Sequence, residues 1–128
     1  MGAQPGISAL KLDTGEKVWN TPALKLPCTT KVGCSPAQAA AVSVIPGAVF
    51  SGAINGHFRA YSTKTGEIIW DFDTVRPFDT VNKVPVKGGS INGGRPVIVN
   101  GMVFTNSGYG SYGQADGNVL LAFSVDGK

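Results

Sequence analysis

Two glycine pairs, Gly88-Gly89 and Gly93-Gly94, bracket Ser90-Ile91-Asn92 in a polar stretch that also carries Lys83, Lys87 and Arg95. Glycine lacks a Cβ, so backbone of this kind can come close to a ligand and offer its amides. A flexible connection between structural units accounts for the same residues, and both readings stand at this point. Other chemistry-bearing side chains are sparse. His57 is the lone histidine, which leaves no credible Ser-His-Asp arrangement, and it reads as a strand residue beside a turn. Asp13, Asp71, Asp73, Asp79, Asp116 and Asp126 fall in turns, strand ends or loops. Neither a phosphate-binding Gly-x-x-x-x-Gly-Lys-Ser/Thr loop nor a zinc-ligand spacing is present. Cys28 and Cys34 enclose the short segment 29–33. A disulfide there would staple the loop by roughly 2 kcal/mol and imply an oxidising compartment. Two free thiols, or a metal site with further ligands, are the alternatives.

The elements that must position these residues are strands. Charged residues make up only 15% of the 128, hydrophobic residues 42%, and there are 18 glycines and 8 prolines. That combination describes short apolar strands joined by many tight turns, in one all-β unit over 1–128. The 11 Lys and Arg against 8 Asp and Glu are scattered without a run, which argues against a nucleic-acid surface. No apolar stretch approaches the ~18–20 residues of a membrane-spanning helix, and no secretory leader pattern follows Met1. Runs 41–45 and 48–53 meet at Pro46-Gly47, Asn55-Gly56 leads into 57–62, and Thr65-Gly66 into 67–72. This spacing predicts a four-stranded antiparallel meander over 37–72. The same grammar recurs in 95–124 without a last strand, and in 7–20 without the first two. The expectation is nine strands, with helix signals too weak to stand alone.

An internal repeat organises these strands. Ala9-Leu10-Lys11-Leu12-Asp13-Thr14-Gly15-Glu16-Lys17-Val18-Trp19 aligns without a gap to Ala60-Tyr61-Ser62-Thr63-Lys64-Thr65-Gly66-Glu67-Ile68-Ile69-Trp70, and a third copy begins at Ala122. The period of about 50–60 residues suits propeller blades with inserted loops. Ala9 and Ala60 permit close strand approach, Gly15 and Gly66 make the turns, and Trp19 and Trp70 have rings large enough to lie between adjacent blades. With Trp70-Asp71-Phe72-Asp73-Thr74, Gly88-Gly89-Ser90 and Asn106-Ser107-Gly108-Tyr109-Gly110, the motif resembles the tryptophan-docking repeat of pyrroloquinoline-quinone (PQQ) dependent alcohol dehydrogenases, which are eight-bladed β-propellers.

The resemblance implies a partial β-propeller of about two and a quarter blades, the carboxyl-terminal portion of a larger enzyme. It also implies oxidation of secondary alcohols, with PQQ and calcium as cofactors and cytochrome c as electron acceptor, in a periplasmic or secreted setting. The family's catalytic aspartate, calcium ligands, adjacent-cysteine ring and cofactor-stacking tryptophan find no counterpart here, so this chain is expected to be inactive and cofactor-free alone. Its partner in that reading is the remainder of the propeller. PQQ bears three carboxylates, which makes Lys83, Lys87, Ser90, Asn92 and Arg95 the candidate contacts within a complete ring. The long connections 21–36, 54–56, 73–94 and 107–118 are expected at one end of the blades. A non-enzymatic propeller module, acting as a scaffold or protein-binding platform, is the competing class. Open strand edges at both ends also predict a homo-oligomer or a strand-exchanged assembly for the isolated chain.

Overall fold

The computed structural model describes residues 5–24, 35–110 and 113–126. The Cys28–Cys34 pairing therefore lies outside the described residues. Within them the protein is all-β, and no helix is long and apolar enough to cross a membrane. The first sheet pairs β1 (Gly6–Leu10) with β2 (Lys17–Pro22). The second is a meander of β3 (Ser43–Ile45), β4 (Ala48–Gly52), β5 (His57–Ser62) and β6 (Ile68–Asp73). A small hairpin follows, β7 (Pro77–Phe78) with β8 (Val86–Lys87). The third large sheet, called the third sheet below, contains β9 (Val97–Val99), β10 (Met102–Ser107) and β11 (Val119–Ser124). All neighbours are antiparallel, as tight turns require.

The hairpin β7–β8 corrects the expected nine strands, because it lies inside a stretch that reads as loop. Its ladder is two residues long and begins at a proline, too little for a period-two pattern to register. Local chemistry builds it instead. Thr80 Oγ1 donates to Val84 O at 2.8 Å and accepts from Val84 N at 3.0 Å, closing a turn in which Lys83 takes a φ of 57°. Outside the turn, Phe78 stacks on Phe72 with ring centroids 6.3 Å apart, and the Arg76 guanidinium sits over both rings.

The repeated motif has one geometry in both copies. Ala9 pairs with Trp19 and Ala60 with Trp70, and each ladder shifts register immediately afterwards. The turn bonds also match: Lys11 N to Glu16 O and Gly15 N to Lys11 O, then Ser62 N to Glu67 O and Gly66 N to Ser62 O. Each alanine is small opposite an indole, so the ring has space across the strand pair.

Stacking of the first sheet on the second uses this motif directly. Trp19 Nε1 donates to Thr63 O at 3.0 Å, and Thr21 Oγ1 donates to Gly66 O at 2.6 Å. A Cβ on Gly66 would lie 2.5 Å from the Trp19 ring and 2.7 Å from Thr21 Oγ1. Gly15 has nearly the same φ, 72° against 77°, yet no atom comes within 4 Å of its Cβ position. The second and third sheets meet instead through an aromatic cluster. Trp70 and Phe72 each approach Phe123 edge-on at 5.0 Å, and Phe58 lies beneath with Ala40 and Ile91 in the buried core.

Strand β5 departs from the simple alternation its sequence suggests, since Phe58, Arg59, Ala60 and Tyr61 are all buried. A blade is covered on both faces, so inside and outside are no longer distinguished by hydropathy. Phe58 serves the aromatic cluster, while the Tyr61 hydroxyl accepts a hydrogen bond from Gln38 Nε2 at 2.7 Å on the other face.

Gly15→Ala is expected to cost about 1 kcal/mol, the penalty for a left-handed non-glycine residue. Gly66→Ala adds displacement of the docked indole, for a total loss of about 2–4 kcal/mol. Chemical denaturation of both variants checks this, and equal losses would mean that the Trp19 contact does not form.

Candidate functional site

Segment 87–92 runs between the second and third sheets and ties them together through its backbone. Ile91 N donates to Ala53 O, Ser90 N to Ala115 O, Gly108 N to Ser90 O, and Gly88 N to Arg76 O, all within 2.8–3.1 Å. At its centre the buried Thr74 hydroxyl lies 2.7 Å from that of Ser107, and donates to Gly56 O at 2.6 Å. Ser107 Oγ in turn accepts from Gly89 N at 2.9 Å. No side chain fits on the glycines here. A Cβ on Gly88 would lie 1.9 Å from Thr74 O, and one on Gly89 2.3 Å from Ala115 O. The glycine pair thus admits the neighbouring backbone, where the sequence leaves open a ligand or a flexible connection.

The ends of this clasp form a polar rim. Connections 54–56, 73–94 and 107–118 converge there, as their bonds through Gly56, Gly89, Ser90 and Ala115 show. Lys87 Nζ donates to Asp116 Oδ1 at 3.2 Å, and Lys87 N to Asn118 Oδ1 at 3.3 Å. The bond from Lys87 holds the Asp116 carboxyl below its ordinary pKa. Asn92 Nδ2 donates to Gln114 Oε1 at 3.1 Å. A depression of about 510 Å³ opens beside Lys87 and Asp116, floored by Pro85, Val86, Gly117 and Asn118.

The five candidate contacts therefore separate by role. Lys87 and Asn92 reach the rim, each paired with the 107–118 connection. Ser90 is 1% exposed, and its hydroxyl accepts from Ala115 N at 3.0 Å, so it belongs to the clasp and presents nothing to a ligand. Lys83 sits on the β7–β8 turn, and Arg95 is exposed beyond Gly93-Gly94. A tricarboxylate would find one rim cation already neutralised by Asp116, and these residues do not by themselves fit such a group. Of the partners that complete the rim, Gln114, Asp116 and Asn118, the sequence singles out only Asp116, as one of the aspartates in turns, strand ends or loops.

A second polar group lies on β5 and β6. The Asp71 carboxylate accepts from Arg59 Nε at 3.0 Å and lies 2.8 Å from His57 Nδ1. Arg59 is 1% exposed, and its Nη2 has no hydrogen-bond partner among the described residues. Burial pushes the Tyr61 hydroxyl pKa up, against the opposing influence of the Arg59 charge. His57, read as a strand residue beside a turn, opens β5 and orients that carboxylate. Among the described residues no group of His, Cys, Asp and Glu side chains comes together to hold a metal ion.

No protein-family model matches the chain. Two curated relatives do, both named polyvinylalcohol dehydrogenase. The one from Pseudomonas sp. is 43% identical over 99% of this chain, and the one from Sphingopyxis sp. (strain 113P3) is 43% identical over 98%. The chain spans 21% of the length of either relative. Among solved structures, BamB from Moraxella catarrhalis, a β-propeller, superposes with a TM-score of 0.63 over 98% of this chain and 33% of its own, at 20% identity. That likeness shows the fold, and with the blade stacking it makes this protein a partial propeller. Over nearly its whole length, the chain belongs with the polyvinyl-alcohol dehydrogenase group of β-propellers, corresponding to one segment of its members.

Proposed function

We propose that the chain forms part of a PQQ-dependent propeller that oxidises secondary alcohols such as polyvinyl alcohol and passes the electrons to cytochrome c. The observation that carries this reading is 43% identity sustained across 99% of the chain. The 20% identity to BamB supports no function, so the scaffold alternative has nothing specific in its favour. When bound, PQQ would accept the hydride and calcium would polarise it. The groups that hold them belong to other parts of the ring in this reading, and this segment supplies a rigid wall. A periplasmic or secreted location follows from the same reading. A longer protein containing this segment, supplied with PQQ and calcium, is expected to reduce an artificial electron acceptor with a secondary alcohol as donor. The 128-residue chain is expected to show no turnover, and turnover by it alone would overturn this division of labour.

The isolated chain is further proposed to self-associate through two strand edges. Outer strands β2 and β6 carry Lys17, Asp71 and Asp73, charges that discourage strand addition. Inner strands β3 and β9 are only three residues long. By contrast β1 and β11, each with an unpaired edge among the described strands, contain no charged residue. Leu10 and Leu120 on them are exposed. Sedimentation is expected to show concentration-dependent association, weakened by Leu120→Lys. A monomer that resists concentration would refute it.

A further inference from the structure

The β7–β8 hairpin carries a second depression, about 590 Å³, lined by Pro77, Phe78, Asp79, Thr80, Lys83 and Val84 and ending on Pro85 and Val86. The same Pro85-Val86 pair walls the depression beside Lys87 and Asp116, so the two hollows share a margin. We propose that this pair of hollows is a binding track for the non-reacting length of an uncharged aliphatic polyalcohol. The proposal rests on the alcohol-oxidising reading and deepens it by naming how such a substrate would be held.

Three observations carry the inference. The track is charge-balanced, with Lys83 and Lys87 against Asp79 and Asp116, so it does not select a polyanion or a polycation. Between the charges lie Phe78, Val84, Pro85 and Val86, an apolar floor for methylene groups. A pure hydrocarbon would desolvate the four charges without compensation, whereas a chain of alternating methylene and hydroxyl groups satisfies both components. The track is also preorganised. Thr80 locks the turn, and the Phe72–Phe78 stack under Arg76 anchors the hairpin to β6, which lowers the ordering cost of binding. A polymer cannot enter a reaction centre whole. Its remaining length must run over the rim, where contacts remote from the reacting carbon can serve turnover.

The probe is polyvinyl alcohol oligomer titrated into the 128-residue chain, with poly(ethylene glycol) and poly(acrylic acid) as controls. Amide resonances of Val84, Val86 and Lys87 are expected to shift with the polyalcohol and not with the controls. Val84→Glu places a carboxylate on the floor and is expected to weaken binding ~10-fold. Val81→Ser at the fully exposed turn (106% exposure), outside both hollows, should bind like the parent. Equal shifts with poly(ethylene glycol), or shifts confined to other parts of the chain, would overturn the track whether or not the glutamate variant folds. Oxidation of short secondary alcohols by the longer protein, with no polymer binding here, sinks the track alone. Polymer binding without turnover by the longer protein supports the track and sinks the oxidation reading.

Discussion

Backbone pressed against backbone, with no room for a Cβ, governs the way the second and third sheets meet. Gly88 and Gly89 pass beside Thr74 O and Ala115 O at distances that exclude any side chain, and Gly108 and Gly117 do the same to each other. Buried peptide groups brought this close must find partners, because an unpaired one costs about 1–3 kcal/mol. The Thr74 and Ser107 hydroxyls provide them, linking Gly56, Gly89 and each other in one buried network. The position of the polar rim follows from this clasp. Lys87 leaves it at one end and Asn92 at the other, and each meets the 107–118 connection where the clasp has placed it.

The two blade interfaces solve the same stacking problem by different means. Between the first and second sheets a single indole fills a glycine slot and spends its N–H on Thr63 O. Between the second and third, the ring of Trp70 joins Phe58, Phe72 and Phe123, and dispersion plus edge-to-face packing replaces a specific slot as the main contact. Within the second blade the cost of burying Arg59 is offset by Asp71, whose other oxygen faces His57. Such a pair contributes little net stability, since desolvation consumes most of the attraction. Removing Asp71 alone would leave a buried cation beside Tyr61.

Periodic features were legible in the residues, and contact-dependent ones were not. The Ala-to-Trp spacing announced two copies of one unit, and those copies share pairing, bulge and turn bonds. The turn grammar that 95–124 shares with 37–72 holds at Asn100-Gly101, where both residues take a positive φ, 49° and 73°. The β7–β8 hairpin stayed hidden because Thr80 and an aromatic stack build it, with no strand pattern to see. Ser90 is ambiguous for a related reason. A serine between glycine pairs looks the same in a ligand loop and in an inter-blade clasp, and only the position of Ala115, remote in sequence, separates the two.

The clasp also constrains where function can reside. Thr74, Ser90 and Ser107 are buried and bonded to backbone or to one another. A polar group held this way contributes rigidity, and recruiting it for a ligand would open a seam between blades. Chemistry with the least structural penalty must therefore use groups at or beyond the clasp's exposed ends. Those are the Lys87–Asp116 pair, whose ion pair is exposed and weak, and the β7–β8 hairpin. A segment that holds geometry in its interior and offers recognition only along its rim suits a wall of a larger ring, and this explains why glycine and serine, rather than acids and bases, dominate Gly88–Gly94.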